Sequence, residues 1–104
     1  MPREDSFRDY VLEQLGAGVE SRAMFGGHGL YRDGAFFGIV YQGRFYLRTS
    51  PRTRKEYADR GMKPFRPNAR QTLKSYYEVP ADVLEDREEL RRWAERARLS
   101  APGA

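Results

Sequence analysis

The chain has no cysteine and a single histidine, His28. The first absence removes a disulfide framework, a thiolate nucleophile and any cysteine-based zinc site. The second leaves His28 without another histidine to share a metal. No stretch approaches the ~18 consecutive apolar residues of a membrane span, so a membrane is not among the expected partners. Met1 to Asp9 is polar and mixed in charge with no apolar run behind it, which predicts no secretory leader and a cytoplasmic address. No repeat, low-complexity tract or linker interrupts the 104 residues, so a single domain over 1–104 is expected.

What is abundant is aromatic and charged. Seven Tyr, six Phe and one Trp can supply much of a small core, and 33% of the residues are charged. The formal net charge of +4 is unevenly placed. Residues 1–50 are balanced, residues 76–104 are mildly acidic, and residues 51–75 carry eight bases against Glu56 and Asp59. A basic segment inside a balanced domain is the electrostatic footprint of nucleic-acid contact, and equally that of a solvated, arginine-rich connection.

The hydrophobic spacing predicts an α+β fold. Phe7, Tyr10, Val11, Gln14 and Leu15 lie at helical intervals, with Ser6 or Asp5 available as N-cap and Gly16 and Gly18 as the stop. From Val19 to Arg48 the period changes to that of short strands. Asp33-Gly34 and Gln42-Gly43 each stand between two such strands as two-residue hairpin turns, the second the weaker signal. Pro51 closes this meander. Thr53 to Arg60 reads as a short helix with Tyr57 inward, Lys63 to Arg70 as a loop because of Pro64, Pro67 and Asn68, and Thr72 to Val79 as one more strand. That last strand places Leu73, Ser75, Tyr77 and Val79 on one face, with Lys74, Tyr76 and Glu78 on the other. Asp86 and Glu89 open a final helix with a capping-box-like pair, and Leu90, Trp93, Ala94 and Ala97 form its apolar stripe. The economical architecture is an antiparallel meander of four to five strands with the N- and C-terminal helices packed on one face and the other face partly open.

Candidate sites are few. Arg22-Ala23-Met24-Phe25-Gly26-Gly27-His28-Gly29 holds three glycines in four residues. A phosphate loop would need a Gly-Lys-Ser/Thr ending and a following helix, so a sharp turn linking two strands is the preferred reading. His28 has no carboxylate at a suggestive offset, and none of the five serines sits in a nucleophile motif. No catalytic residue, metal or cofactor is expected. Arg44, Tyr46 and Arg48 fall on the non-core face of their strand, with Tyr76 on the same face of the last one. Arg interleaved with Tyr on an open sheet suits a subunit or partner interface, or base stacking over phosphate contacts, or a plain exposed β face with cross-strand aromatic pairs. Arg52, Arg54, Lys55, Arg60, Arg66 and Arg70 are the candidate nucleic-acid contacts.

Taken together, Arg22-Ala-Met-Phe-Gly-Gly27, Gly29-Leu-Tyr-Arg-Asp-Gly34, Gly43-Arg-Phe-Tyr-Leu-Arg48 and Ser75-Tyr-Tyr-Glu-Val-Pro80 give a chain that resembles the N-terminal domain family of TfoX/Sxy-type competence regulators. Phe37, Tyr57, Gly61, Pro64-Phe65, Leu84, Leu90 and Trp93 extend the likeness along nearly the whole chain. The resemblance implies an α+β sandwich similar to secretion-chaperone-like folds, often paired as dimers, and no catalytic residues. It also implies a link to transcriptional control of DNA-uptake genes, with the N-terminal domain standing alone, without the C-terminal helical domain of longer members. The expected function is a non-enzymatic regulatory or adaptor domain, a homodimer, docking a protein partner such as a transcription factor. The alternative is direct, low-specificity nucleic-acid binding by the 51–75 segment.

Overall fold

The structure, a computed structural model, describes residues 2–24 and 26–100. Helix α1 (Pro2–Leu15) is followed by four strands, β1 (Glu20–Met24), β2 (Gly27–Arg32), β3 (Ala35–Tyr41) and β4 (Arg44–Arg48). Then come α2 (Pro51–Asp59), the strands β5 (Pro64–Asn68) and β6 (Gln71–Glu78), the short α3 (Ala81–Leu84) and α4 (Arg87–Ser100). The strands form one antiparallel sheet in the order β1-β2-β3-β4-β6-β5.

The two anticipated hairpin turns are present. Asp33 and Gly34 have φ of 53° and 79°, and Gln42 and Gly43 have 50° and 75°. Positive φ at both central residues matches the right-handed twist of the flanking strands. Gln42 fills a left-handed position that Asn or Gly fills more readily, which is why the second signal is weaker in the sequence. Helix α2 starts two residues earlier than its sequence suggests. Ser50 caps it, its Oγ accepting from the Thr53 N–H at 3.3 Å while Thr53 Oγ1 accepts from the Ser50 N–H at 2.9 Å, and Pro51 occupies the first turn.

One core lies between the helices and one face of the sheet. Val11 and Leu15 from α1, and Leu90, Trp93, Ala94 and Ala97 from α4, pack on Leu30, Phe37, Val40, Phe45 and Leu47. The Tyr57 ring of α2 meets Trp93 edge-on with centroids 4.9 Å apart, closing the side of this layer. Asp86 Oδ1 accepts from the Glu89 N–H at 3.1 Å, so the start of α4 is the expected one. The Glu89 carboxylate does not complete the box; it accepts from Trp93 Nε1 at 2.9 Å and fixes the indole instead.

Three sequence expectations need correction. Helix α1 begins at Pro2, so neither Asp5 nor Ser6 caps it; proline at the first helical position needs no hydrogen bond there. Residues 64–68 are a strand rather than a loop, which gives six strands instead of four or five. Proline is tolerated because β5 is an edge strand that pairs only with β6. The register of that pair shifts twice, and Leu73 consequently packs on the side of Tyr76 rather than with Tyr77 and Val79. The second face of the sheet is partly open, as expected, and the chain itself covers the rest. Only residues 76–78 of β6 pair with β4, and the β5–β6 hairpin bends back over the sheet. Tyr41 Oη donates to the Pro67 carbonyl at 3.4 Å, though β3 and β5 are separated by two strands.

Candidate interaction face

The face away from the helices is built by a bulge. Between Leu30 and Tyr31 the β2–β3 register slips by one residue, so β3 carries one residue more than its partner. Phe37 and Val40 can thus both face the helices while Phe36, Ile39 and Tyr41 face the other way. A second, smaller cluster results: Ile39, Tyr46, Phe65 and Tyr76 are buried, with Phe36, Tyr41 and Leu73 packed against them.

Across this face runs a row of rings with arginine at each end. Arg22 of β1 lies 4.8 Å over the Tyr31 ring of β2. Tyr31 stacks on Phe36 of β3 at 5.1 Å, and Phe36 meets Tyr76 of β6 at 5.2 Å. Arg48 of β4 lies 5.7 Å over Tyr76 and donates to its hydroxyl at 3.5 Å. Gly29 makes the row possible, because a Cβ there would lie 2.9 Å from Met24 Sδ and 3.1 Å from the Phe36 ring. Desolvation on burial raises the Tyr76 and Tyr46 phenols above their usual pKa; hydrogen bonding from Arg48 opposes this at Tyr76.

Of the four interface candidates, Arg44 and Arg48 carry the accessible charge. Tyr46 and Tyr76 keep only 8% and 4% of their surface and cannot offer a ring face to a ligand. Arg44 pairs with Glu78 at 3.2 Å, and Arg48 Nε donates to the Ser100 carbonyl at 3.1 Å. Beside Arg48 a shallow cleft of about 350 Å³ is lined by Thr72, Leu73, Lys74 and Tyr76. Sequence reasoning missed Tyr31 and Phe36. The Leu30-Tyr31-Arg32 and Ala35-Phe36-Phe37 runs flank one turn, a signal that two rings meet across a hairpin.

The Met24–Gly27 element is the closure of the β1–β2 hairpin, as expected of a turn. A Cβ on Gly27 would lie 2.2 Å from the Val40 carbonyl oxygen, so the glycine is needed for close backbone approach. Phe25 lies outside the described residues. Arg8 Nη1 lies 3.2 Å from His28 Nε2, so that ring nitrogen is already engaged within the chain. Among the described residues no group of three His, Cys, Asp or Glu is placed to hold a metal, and no helix is long and apolar enough to cross a membrane.

The basic segment is divided by the fold. Arg52, Arg54 and Lys55 lie on α2, and Arg60 follows it; Arg66 is on β5 and Arg70 in the β5–β6 turn. Arg54 bends back to Thr49 Oγ1 at 3.2 Å, Lys55 pairs with Asp59 at 3.1 Å, and Arg60 pairs with Asp82 at 2.6 Å. A different pair of arginines, 59 positions apart, meets at the C-terminal end of α1. Arg91 Nε donates to the Gln14 carbonyl at 2.8 Å and Arg32 to the Leu15 carbonyl at 3.5 Å, bordering a cleft of about 290 Å³. They satisfy the last carbonyls of the helix.

An α+β domain with one helix-covered face and one aromatic face is the class defined by these features. The family model of the TfoX N-terminal domain matches residues 11–101, and the chain belongs to that family. No curated protein matches the chain.

Proposed function

We propose that this chain is a non-catalytic regulatory domain that docks a protein partner on the aromatic face of its sheet. The observation that carries this reading is the arginine-ended row from Arg22 through Tyr31, Phe36 and Tyr76 to Arg48, on the face opposite the helix-packed core. Arginine and aromatic side chains are enriched in protein interfaces, and Arg48 and Lys74 beside the 350 Å³ cleft suit an acidic residue of the partner. The family resemblance supports a partner in transcriptional control of DNA uptake.

Base stacking is disfavoured, since the rings are turned toward one another and Tyr46 and Tyr76 are buried. Two of the six candidate nucleic-acid contacts already hold a carboxylate. The test is retention of partner proteins by immobilised wild-type chain, by Arg44→Glu/Arg48→Glu and by Arg52→Glu/Arg70→Glu, with circular dichroism confirming the fold of each. A protein kept by wild type and by the second variant but lost by the first supports the reading. Salt-sensitive duplex binding lost only in Arg52→Glu/Arg70→Glu would replace it with the nucleic-acid reading.

A further inference from the structure

The sheet has two edges, and they are not alike. The β5 edge carries Pro64 and Pro67, exposed Arg66 and two register shifts, the devices that stop strands from adding. The β1 edge has neither proline nor a register shift: Glu20-Ser21-Arg22-Ala23-Met24 pairs in unbroken register with β2, and its exposed charges, Glu20 and Arg22, are of opposite sign. Met24 and Gly27 close a two-residue turn, so they form a hydrogen-bonded pair, and alternate residues back along β1 do the same. Ser21 and Ala23 therefore direct their N–H and C=O groups outward.

We infer that the β1 edge pairs antiparallel with the β1 edge of a second copy of this chain, on a two-fold axis at Ser21. Centred there, Ser21 exchanges both backbone hydrogen bonds with its counterpart, and Ala23 meets Val19 of the other copy. Glu20 of each copy stands opposite Arg22 of the other on the aromatic face, giving two reciprocal opposite-charge pairs. Both side chains are exposed, and within one chain they already approach to 3.6 Å. Centring on Arg22 instead would set like charges directly opposite, so charge complementarity selects the Ser21 axis. The result is a continuous twelve-stranded sheet in which the two Arg22-ended aromatic rows meet at the seam. The pairing deepens the docking proposal by doubling its face, but it stands without a third partner.

The test is solution mass by light scattering over a range of concentrations, for wild type and three variants. Ser21→Pro removes the outward donor while leaving the β1–β2 ladder intact. Glu20→Arg makes like charges face across the axis, and Glu20→Arg/Arg22→Glu restores opposite ones. The expected result is a mass rising toward twice 12.1 kDa for wild type and the double variant. Ser21→Pro should remain at one chain's mass, and Glu20→Arg should need at least tenfold more protein to associate. A wild-type mass of one chain throughout, or association indifferent to Glu20→Arg, overturns the inference. Should Ser21→Pro fail to fold, the charge swap decides alone. Loss of association with partner retention intact would overturn the dimer while leaving the docking face standing.

Discussion

Tyr76 Oη donates to the Phe36 carbonyl at 3.3 Å and the two rings lie 5.2 Å apart, although β4 separates their strands. This contact ties the bent β5–β6 hairpin to the centre of the sheet, and it makes the aromatic face a structural unit as well as a surface. Removing the hydroxyl in Tyr76→Phe takes away the donor to the Phe36 carbonyl and one of the acceptors of Arg48 at little cost in volume. The expected loss is about 1 kcal/mol, read as a lower urea midpoint with unchanged slope. Tyr76→Ala also opens the cluster and should cost ~3–5 kcal/mol.

Alkaline stability should be governed by buried tyrosine. Burial raises Tyr57, Tyr46 and Tyr76 above their ordinary pKa of 10.0, most strongly Tyr57 beneath α4. Each raised pKa contributes stability that is present below pH 10 and is lost as pH rises beyond it, because the unfolded chain ionises first. Urea midpoints measured from about pH 8 to about pH 12 should fall on the alkaline side only, and Tyr57→Phe should flatten that fall. An unchanged slope in Tyr57→Phe would contradict the burial assignment.

Two adjacent glycines should respond differently to alanine. Gly26 has φ of 81° with open space where a Cβ would go, so Gly26→Ala carries only the left-handed penalty of ~1–2 kcal/mol. At Gly27 the Cβ would strike the Val40 carbonyl, a backbone atom that cannot swing away. Gly27→Ala should part the start of β2 from the end of β3, detected as loss of amide protection around Gly27–Leu30 while β4 and β6 stay protected.

The ion pair of Arg60 with Asp82 should be worth little. Their side chains are 40% and 68% exposed, and water screens a pair in that setting. Arg60→Ala should leave the urea midpoint nearly unchanged, and with it the account that Tyr57, Trp93 and the sheet hold α2 in place.

Much of the fold is readable one segment at a time. The two-residue turns, the stripe on α4 and the inward Tyr57 are local patterns, and local patterns survive tertiary context. What escaped depends on strands meeting. Pro64 and Pro67 read as a loop because an edge strand's tolerance for proline cannot be known before the edge is. The bulge at Phe37-Gly38 breaks strict alternation and hides the fact that Phe36, not Phe37, joins the outer row. Arg44, Tyr46, Arg48 and Tyr76 are legible as one face, but the burial of the tyrosines depends on Phe65 meeting Tyr46 and Phe36 meeting Tyr76 across strands. The 51–75 charge run is continuous in sequence and split between a helix and a hairpin in space.

The measurement closest to the central claim is site-specific photo-crosslinking in cells, with the reactive residue at Arg44 on the aromatic face or at exposed Glu88 on α4. The account predicts an adduct with another protein from the Arg44 position and none from the Glu88 position, its mass separating a foreign partner from a second copy. Adducts from Glu88 alone would contradict the account and move the working surface to the helices.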